Sequence, residues 1–173
     1  MKFKILILVF FVSFNLTAQI ANEKIEEEKI KKTISVLVEG WKQGSGKKFA
    51  SAFTEEADFT VLFGMHIQSR KAIAEGHDFI FDRFYANTVW ALRPVKINFL
   101  SADIALAHCS GAIHVVGETV ASQPAAVPLL VLKKLEEGEW KITALQNTPY
   151  LVDELSMDGD LAKFKNWIGE NRK

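Results

Sequence analysis

The chain is short of cysteine, of net charge and of every compact catalytic signature. One cysteine, Cys109, stands in 173 residues, so no intrachain disulfide can form and the fold must rest on its core. Lysine plus arginine and aspartate plus glutamate both number 21, a formal charge of zero. A nucleic-acid surface needs clustered basic residues to displace counterions, so no nucleic-acid partner is expected. No G-x-G-x-x-G follows a strand pattern and no G-x-S-x-G elbow occurs, which argues against a dinucleotide site and a serine-hydrolase site. The four histidines, His66, His77, His108 and His114, show no H-x-x-x-H or comparable ligand spacing, so neither a metal nor another cofactor is expected. There is no internal repeat and no low-complexity linker, and the length suits one compact domain.

A long apolar run occurs only in the first eighteen residues. Lys2 and Lys4 precede an unbroken apolar stretch from Ile5 to Val12, continued by Phe14 and Leu16, and Thr17-Ala18-Gln19 supplies a small, polar exit. This is the layout of a secretory signal peptide with cleavage after Ala18; an uncleaved anchor is the alternative. The run falls short of the about 20 apolar residues that a transmembrane helix needs. A secreted or periplasmic protein, free of the membrane after cleavage, is the expectation. The lysines leave with the signal, which turns the neutral chain slightly acidic.

The rest reads as α+β. Asn22 is placed to cap a first helix, on which Ile30, Ile34, Leu37, Val38 and Trp41 form one apolar stripe. The charge run from Glu23 to Lys32 reads as its solvated face, with Glu27–Lys31 and Glu28–Lys32 as i,i+4 pairs. Gly40, Gly44 and Gly46 end it, and a short second helix follows with Phe49, Ala50 and Phe53 inward. Residues 58–63 read as a strand ending at Gly64. A third helix is expected over 70–85, with Ile73, His77, Ile80, Phe81 and Phe84 on its inward face. After Pro94, four strands are expected at 95–100, 104–116, 127–135 and 140–148, the last two joined by the Glu137-Gly138 turn. Residues 160–168 carry an amphipathic pattern with Leu161, Phe164, Trp167 and Ile168 on its apolar face.

Several phrases in this order resemble a known family. They are Trp41 and the glycines after it, Phe49-Ala50 and Phe53; Glu56-Ala57-Asp58-Phe59 leading to Phe63-Gly64; Arg70, Ile73 and His77; and Phe99 to Ala105 with His108, followed by Trp140-Lys141-Ile142 and Gln146-Asn147-Thr148. Over roughly residues 22–150 the chain resembles the nuclear-transport-factor-2-like superfamily in its SnoaL-like branch, nearest the SgcJ/EcaC-type proteins. Gly44-Ser45-Gly46 and Ser69, where that family commonly has an acidic residue and a glycine, depart from it. The resemblance implies a cone in which N-terminal helices pack into a strongly curved antiparallel sheet around an apolar interior. The expected organisation is a signal at 1–18, the cone at 19–150 and a C-terminal extension at 151–173. That superfold hosts isomerases, cyclases, dehydratases and binders, so chemistry must come from the site. In its ketosteroid-isomerase relatives the carboxylate base stands four residues after the alanine matching Ala57. Here that residue is Val61, which cannot accept a proton.

Three readings remain open. An apolar pocket would bind a small hydrophobic molecule, with Trp41, Phe53, Phe59, Val61, His77, Phe81, His108 and Gln146 as its candidate lining. An enzyme of SgcJ/EcaC type would act on a carbonyl or polyketide-like compound with His77 as catalytic acid/base, and Gln146 would orient the substrate. A non-catalytic module would pair as a homodimer through the sheet, whose apolar face association would bury. His77 competes with a plain core histidine. Cys109, facing opposite His108 along its strand, reads as a small apolar filler, and Asp58 as a structural residue at its strand's entry.

Overall fold

The computed structural model describes residues 2–118 and 125–150, with side chains from residue 22 onward. The expected helix at 160–168 lies outside the described residues. A single helix, α1 (Lys2–Lys42), opens the chain. Asn22 therefore lies inside a helix and caps nothing; neither proline nor glycine interrupts residues 2–39. A short α2 (Gly46–Ala50) follows, capped by Ser45, whose hydroxyl accepts the Lys48 amide. Then come β1 (Phe53–Thr60), β2 (His66–Gln68), α3 (Arg70–Arg83), β3 (Thr88–Phe99), β4 (Ile104–Val115), β5 (Leu129–Lys134) and β6 (Trp140–Gln146). Among the described residues no helix is long and apolar enough to cross a membrane.

The strands form one six-stranded sheet in the order β2-β1-β6-β5-β4-β3. It curls over the helices without closing. The sheet is mixed, where an all-antiparallel one was expected: β1 lies parallel to β6. The helices bury their stripe against the concave face. Ile30, Ile34, Leu37 and Trp41 of α1 meet Phe49 of α2, Ile73 and Phe81 of α3, and Leu130, Leu132, Trp140 and Ile142 of the sheet. Thr33 pins α1 to β6 by donating to the Trp140 carbonyl at 2.7 Å.

Four boundaries differ from the sequence reading, each for a local reason. Phe53 begins β1 rather than ending α2, because Ser51 caps α2 and the chain turns extended there. The strand expected to reach Phe63 stops at Thr60. A turn follows, in which the Val61 amide bonds the Met65 carbonyl and the Gly64 amide bonds the Val61 carbonyl, both at 2.9 Å. Gly64 takes φ +83°, a conformation that favours glycine, and the turn returns the chain as β2. Third, β3 begins at Thr88, seven residues before the expected start, and runs through Pro94. A proline fits there because β3 is an edge strand and its pairing with β4 shifts register between Pro94 and Lys96. Fourth, α3 ends at Arg83, and Phe84, expected inward, is 69% exposed.

Within the charged run on α1, Glu26 is not solvated. It is 6% exposed, and its carboxylate accepts the Trp140 indole N–H at 2.6 Å, Lys134 at 2.9 Å and Lys29 at 2.9 Å. Burial by itself raises the pKa of this carboxyl, but the hydrogen bonds from Lys29, Trp140 and Lys134 outweigh it and hold the group at about 2.

Candidate functional site

Between the concave sheet face and the helices lies a cavity of 660 Å³. That is inside the roughly 300–1,000 Å³ typical of small-molecule sites. Trp41 reaches it from α1, Phe59 from β1, His77 and Ile80 from α3, Trp90 from β3 and Ile113 from β4. Val61 and Leu62 line it from the turn after β1, Tyr85 from the segment after α3, and Ala126 and Asn147 from the far end of the sheet. Phe63, Met65, Phe79 and Phe84 also line it, and all four are more than half exposed, so the mouth has an apolar rim. None of the described residues lining the cavity is lysine, arginine, aspartate or glutamate.

The inner wall is an aromatic cluster built on Trp41. Its ring lies 5.2 Å from Phe81, 5.1 Å from Tyr85 and 5.4 Å from Trp90, centroid to centroid. Its indole N–H donates to Thr88 Oγ1 at 3.0 Å, and Thr88 donates in turn to the Tyr85 carbonyl. Trp41 therefore offers the cavity only its apolar body.

His77 is the principal polar feature. It is 4% exposed, stacks on Phe49 at 3.8 Å and meets Phe59 edge-on at 5.3 Å. Nδ1 lies 2.8 Å from the Ile73 carbonyl, one turn back on α3. A carbonyl can only accept, so Nδ1 carries the proton and Nε2 keeps its lone pair. Nε2 has no hydrogen-bond partner among the described residues. Burial pushes the imidazole pKa down to about 4, with the Ile73 hydrogen bond and nearby Asp78 opposing in part, so the ring is neutral at pH 7. The unfolded chain protonates this ring below about 6.5 and the folded one only near 4. The unfolded state thus binds the extra proton between those values, and stability should fall as the pH drops through that window. Urea midpoints at pH 7, 5.5 and 4.5 should show this slope, and His77→Phe should flatten it; an equal slope in both proteins would refute the assignment.

The eight candidate residues divide. Trp41, Phe59, Val61 and His77 line the cavity. Phe53 is fully buried beneath Phe49 and Phe59, and Phe81 sits behind Trp41 and His77; both support the wall without forming it. His108 and Gln146 face away from the cavity and are exposed. On β4 the helix-facing residues are Ala105, Ala107 and Cys109, so His108 lies on the opposite face. Cys109 is 3% exposed and its thiol is pushed up to about 12 by burial, which leaves no reactive thiolate. Gln146 is displaced by a bulge. Val131 pairs with Ala144 and Leu132 with Ile142, so Thr143 is an extra residue on β6. Trp140 and Ile142 point inward before it, and Leu145 and Asn147 after it. Asn147 therefore takes the place expected of Gln146, and its Oδ1 is buried with no hydrogen-bond partner.

Tyr85, Trp90, Ile113 and Asn147 were not among the candidates. Trp90 alternates with Thr88 and Leu92, a signal available once β3 is seen to begin before Pro94. No local signal marks the Thr143 bulge. Ser69, the departure noted before Arg70, takes φ +81° and caps α3 by accepting the Ala72 amide, a conformation better suited to glycine. Among the described residues no three histidine, cysteine, aspartate or glutamate side chains come together as a metal site requires.

No family model and no curated protein matches the sequence. Solved structures match over most of its length. A domain of unknown function with a cystatin-like fold from Nostoc punctiforme is 27% identical, covers 86% of this chain and 98% of its own, and superposes with a TM-score of 0.67. An NTF2-like protein with a cystatin-like fold from Novosphingobium aromaticivorans is 18% identical over 86% of this chain and 94% of its own, with a TM-score of 0.66. A structure from Catenulispora acidiphila in complex with S-DNPA is 14% identical over 71% of this chain and 92% of its own, with a TM-score of 0.58. The chain has the cystatin-like, NTF2-like fold.

Proposed function

We propose that this chain is an exported protein of the SnoaL-like kind that holds a small hydrophobic molecule in the cavity between the sheet and its helices. The observation that carries the reading is the wall itself: rings on several sides, no charged side chain among the described lining residues, and two acceptors without a partner among the described residues, His77 Nε2 and Asn147 Oδ1. The complex of a similarly folded protein with S-DNPA supports it, as does the apolar leader pattern for export. Catalysis by His77 is less well supported. An imidazole whose pKa lies near 4 is a weak base at neutral pH, and no carboxylate among the described lining residues could assist it. A homodimer would form across the convex sheet face, where Leu106, Leu129 and Val131 stand half-buried beside His108.

Naphthalene tests the reading. A ligand of the folded state raises the melting temperature in proportion to RT ln(1 + [L]/Kd). Naphthalene should raise it for the wild-type protein, and Val61→Trp, which fills the cavity from the turn after β1, should weaken binding by more than about tenfold. An unchanged melting temperature in wild type, or equal binding by the variant, would contradict the proposal.

A further inference from the structure

We infer that the ligand of this cavity is an uncharged molecule with a flat ring system and one hydroxyl or N–H group, which donates a hydrogen bond to His77 Nε2. The inference rests on the binding reading above and narrows it to a chemical class.

Three observations support it. The walls are rings, with Trp41, Phe59, Tyr85 and Trp90 all bordering the same space, so a planar aromatic or alicyclic body gains most from contact with them. The polarity of His77 is settled by its neighbour: the Ile73 carbonyl holds the Nδ1 proton, and Nε2 is left as an acceptor only. An acceptor selects a donor. A wholly apolar guest would shut water out from Nε2 and put nothing in its place, and an acceptor sealed from water without a partner is costly. A guest with a donor restores that bond. The third observation concerns charge. The imidazole is neutral at pH 7, and the described lining contains no carboxylate, lysine or arginine, so an anionic or cationic guest would lose its hydration without finding a counter-charge. Asn147 adds an amide from the far end of the sheet, with its Oδ1 unpartnered, and it is the competing anchor for the hydroxyl.

Three probes of one shape separate these possibilities: naphthalene, 2-naphthol and 2-naphthoate, titrated calorimetrically into the purified protein at pH 7. The expected result is that 2-naphthol binds about tenfold more tightly than naphthalene, the worth of one recovered neutral hydrogen bond. The anionic 2-naphthoate should bind more than about tenfold more weakly than naphthalene. In His77→Phe, which keeps a ring on Phe49 and lacks the acceptor, the advantage of 2-naphthol should vanish while naphthalene still binds. Asn147→Leu should preserve that advantage. The comparison within wild type stands even if a variant fails to fold. Equal binding of naphthalene and 2-naphthol would overturn the inference and leave the hydrophobic-cavity reading intact. Binding of neither would overturn both. A preference for 2-naphthoate, or loss of the 2-naphthol advantage in Asn147→Leu alone, would refute the assignment to His77.

Discussion

Glu26→Ala should lower the stability of this protein by about 2–3 kcal/mol, on the order of 5–10 °C in melting temperature for a chain of this size. Glu26 lies four residues before Ile30 on the buried stripe of α1, so its carboxylate enters the interface with the sheet. There it accepts from the Trp140 indole and from Lys134 and Lys29. Alanine would leave a buried indole N–H without a partner and Lys134 without its counter-charge, and the cost comes from those stranded groups. The same bond predicts a pH dependence. The carboxyl titrates near 2 in the folded protein against an ordinary 4.5, so its contribution is complete above about 4.5 and is lost as the pH falls toward 2. Glu26→Gln keeps an acceptor for Trp140 but cannot ionise, so it should be less damaging than alanine and should remove that part of the acid transition. Chemical denaturation at pH 7 and pH 3 measures both effects. A loss below about 1 kcal/mol for Glu26→Ala would show that the site relaxes into water instead.

Gly40→Ala should cost about 3 kcal/mol or more and should disturb the cavity as well as the fold. A Cβ at Gly40 would lie 2.3 Å from the Phe49 amide nitrogen and 2.5 Å from its Cα. Those are backbone atoms, which cannot rotate aside as the end of a side chain can. Gly46 makes the matching approach on the other side of α2, where a Cβ would lie 2.1 Å from the Ala74 carbonyl oxygen. Its amide is held by Asp78 of α3 at 2.6 Å. The two glycines let α1, α2 and α3 meet closely enough for Phe49 to stack on His77. Pushing α2 away from α1 would therefore shift the ring that positions the acceptor. Gly40→Ala should reduce both the denaturation midpoint and the affinity for naphthalene, whereas Gly138→Ala, with open space around its Cβ but a φ of +81° that strains alanine, should lower the midpoint and leave that affinity unchanged. An unaltered affinity in a folded Gly40→Ala protein would separate the helix contact from the site.

Much of this was legible in the sequence. The spacing of Ile30, Ile34, Leu37 and Trp41 gave the buried face of α1, and that of Ile73, His77 and Phe81 gave the face of α3. Both rest on the helical period, which neighbouring residues set among themselves. Glu26 shares that period, but its charge and its charged neighbours hid it. Strands were harder. Pro94 reads as a break, yet it is tolerated on an edge strand at a bulge. The exposed pair Glu55-Glu56 obscured the start of β1, whose pairing with β6 slips between Phe53 and Asp58.

By itself, the sequence determined an α+β chain with an aromatic interior, no intrachain disulfide, and His77 on the inward side of its helix. Tertiary structure decided the rest of the site. Alternation along β4 divides Ala107 and Cys109 from His108 without saying which side faces the helices. The small residues face inward, and further along the same face Trp90 packs so closely on Gly111 that a Cβ there would meet its indole. One extra residue at Thr143 exchanges Gln146 for Asn147, and one carbonyl on α3 fixes which nitrogen of His77 is free. Periodicity is a property of neighbours in the chain, whereas the sense of a face and the partner of a polar atom are set by contacts with residues distant in sequence.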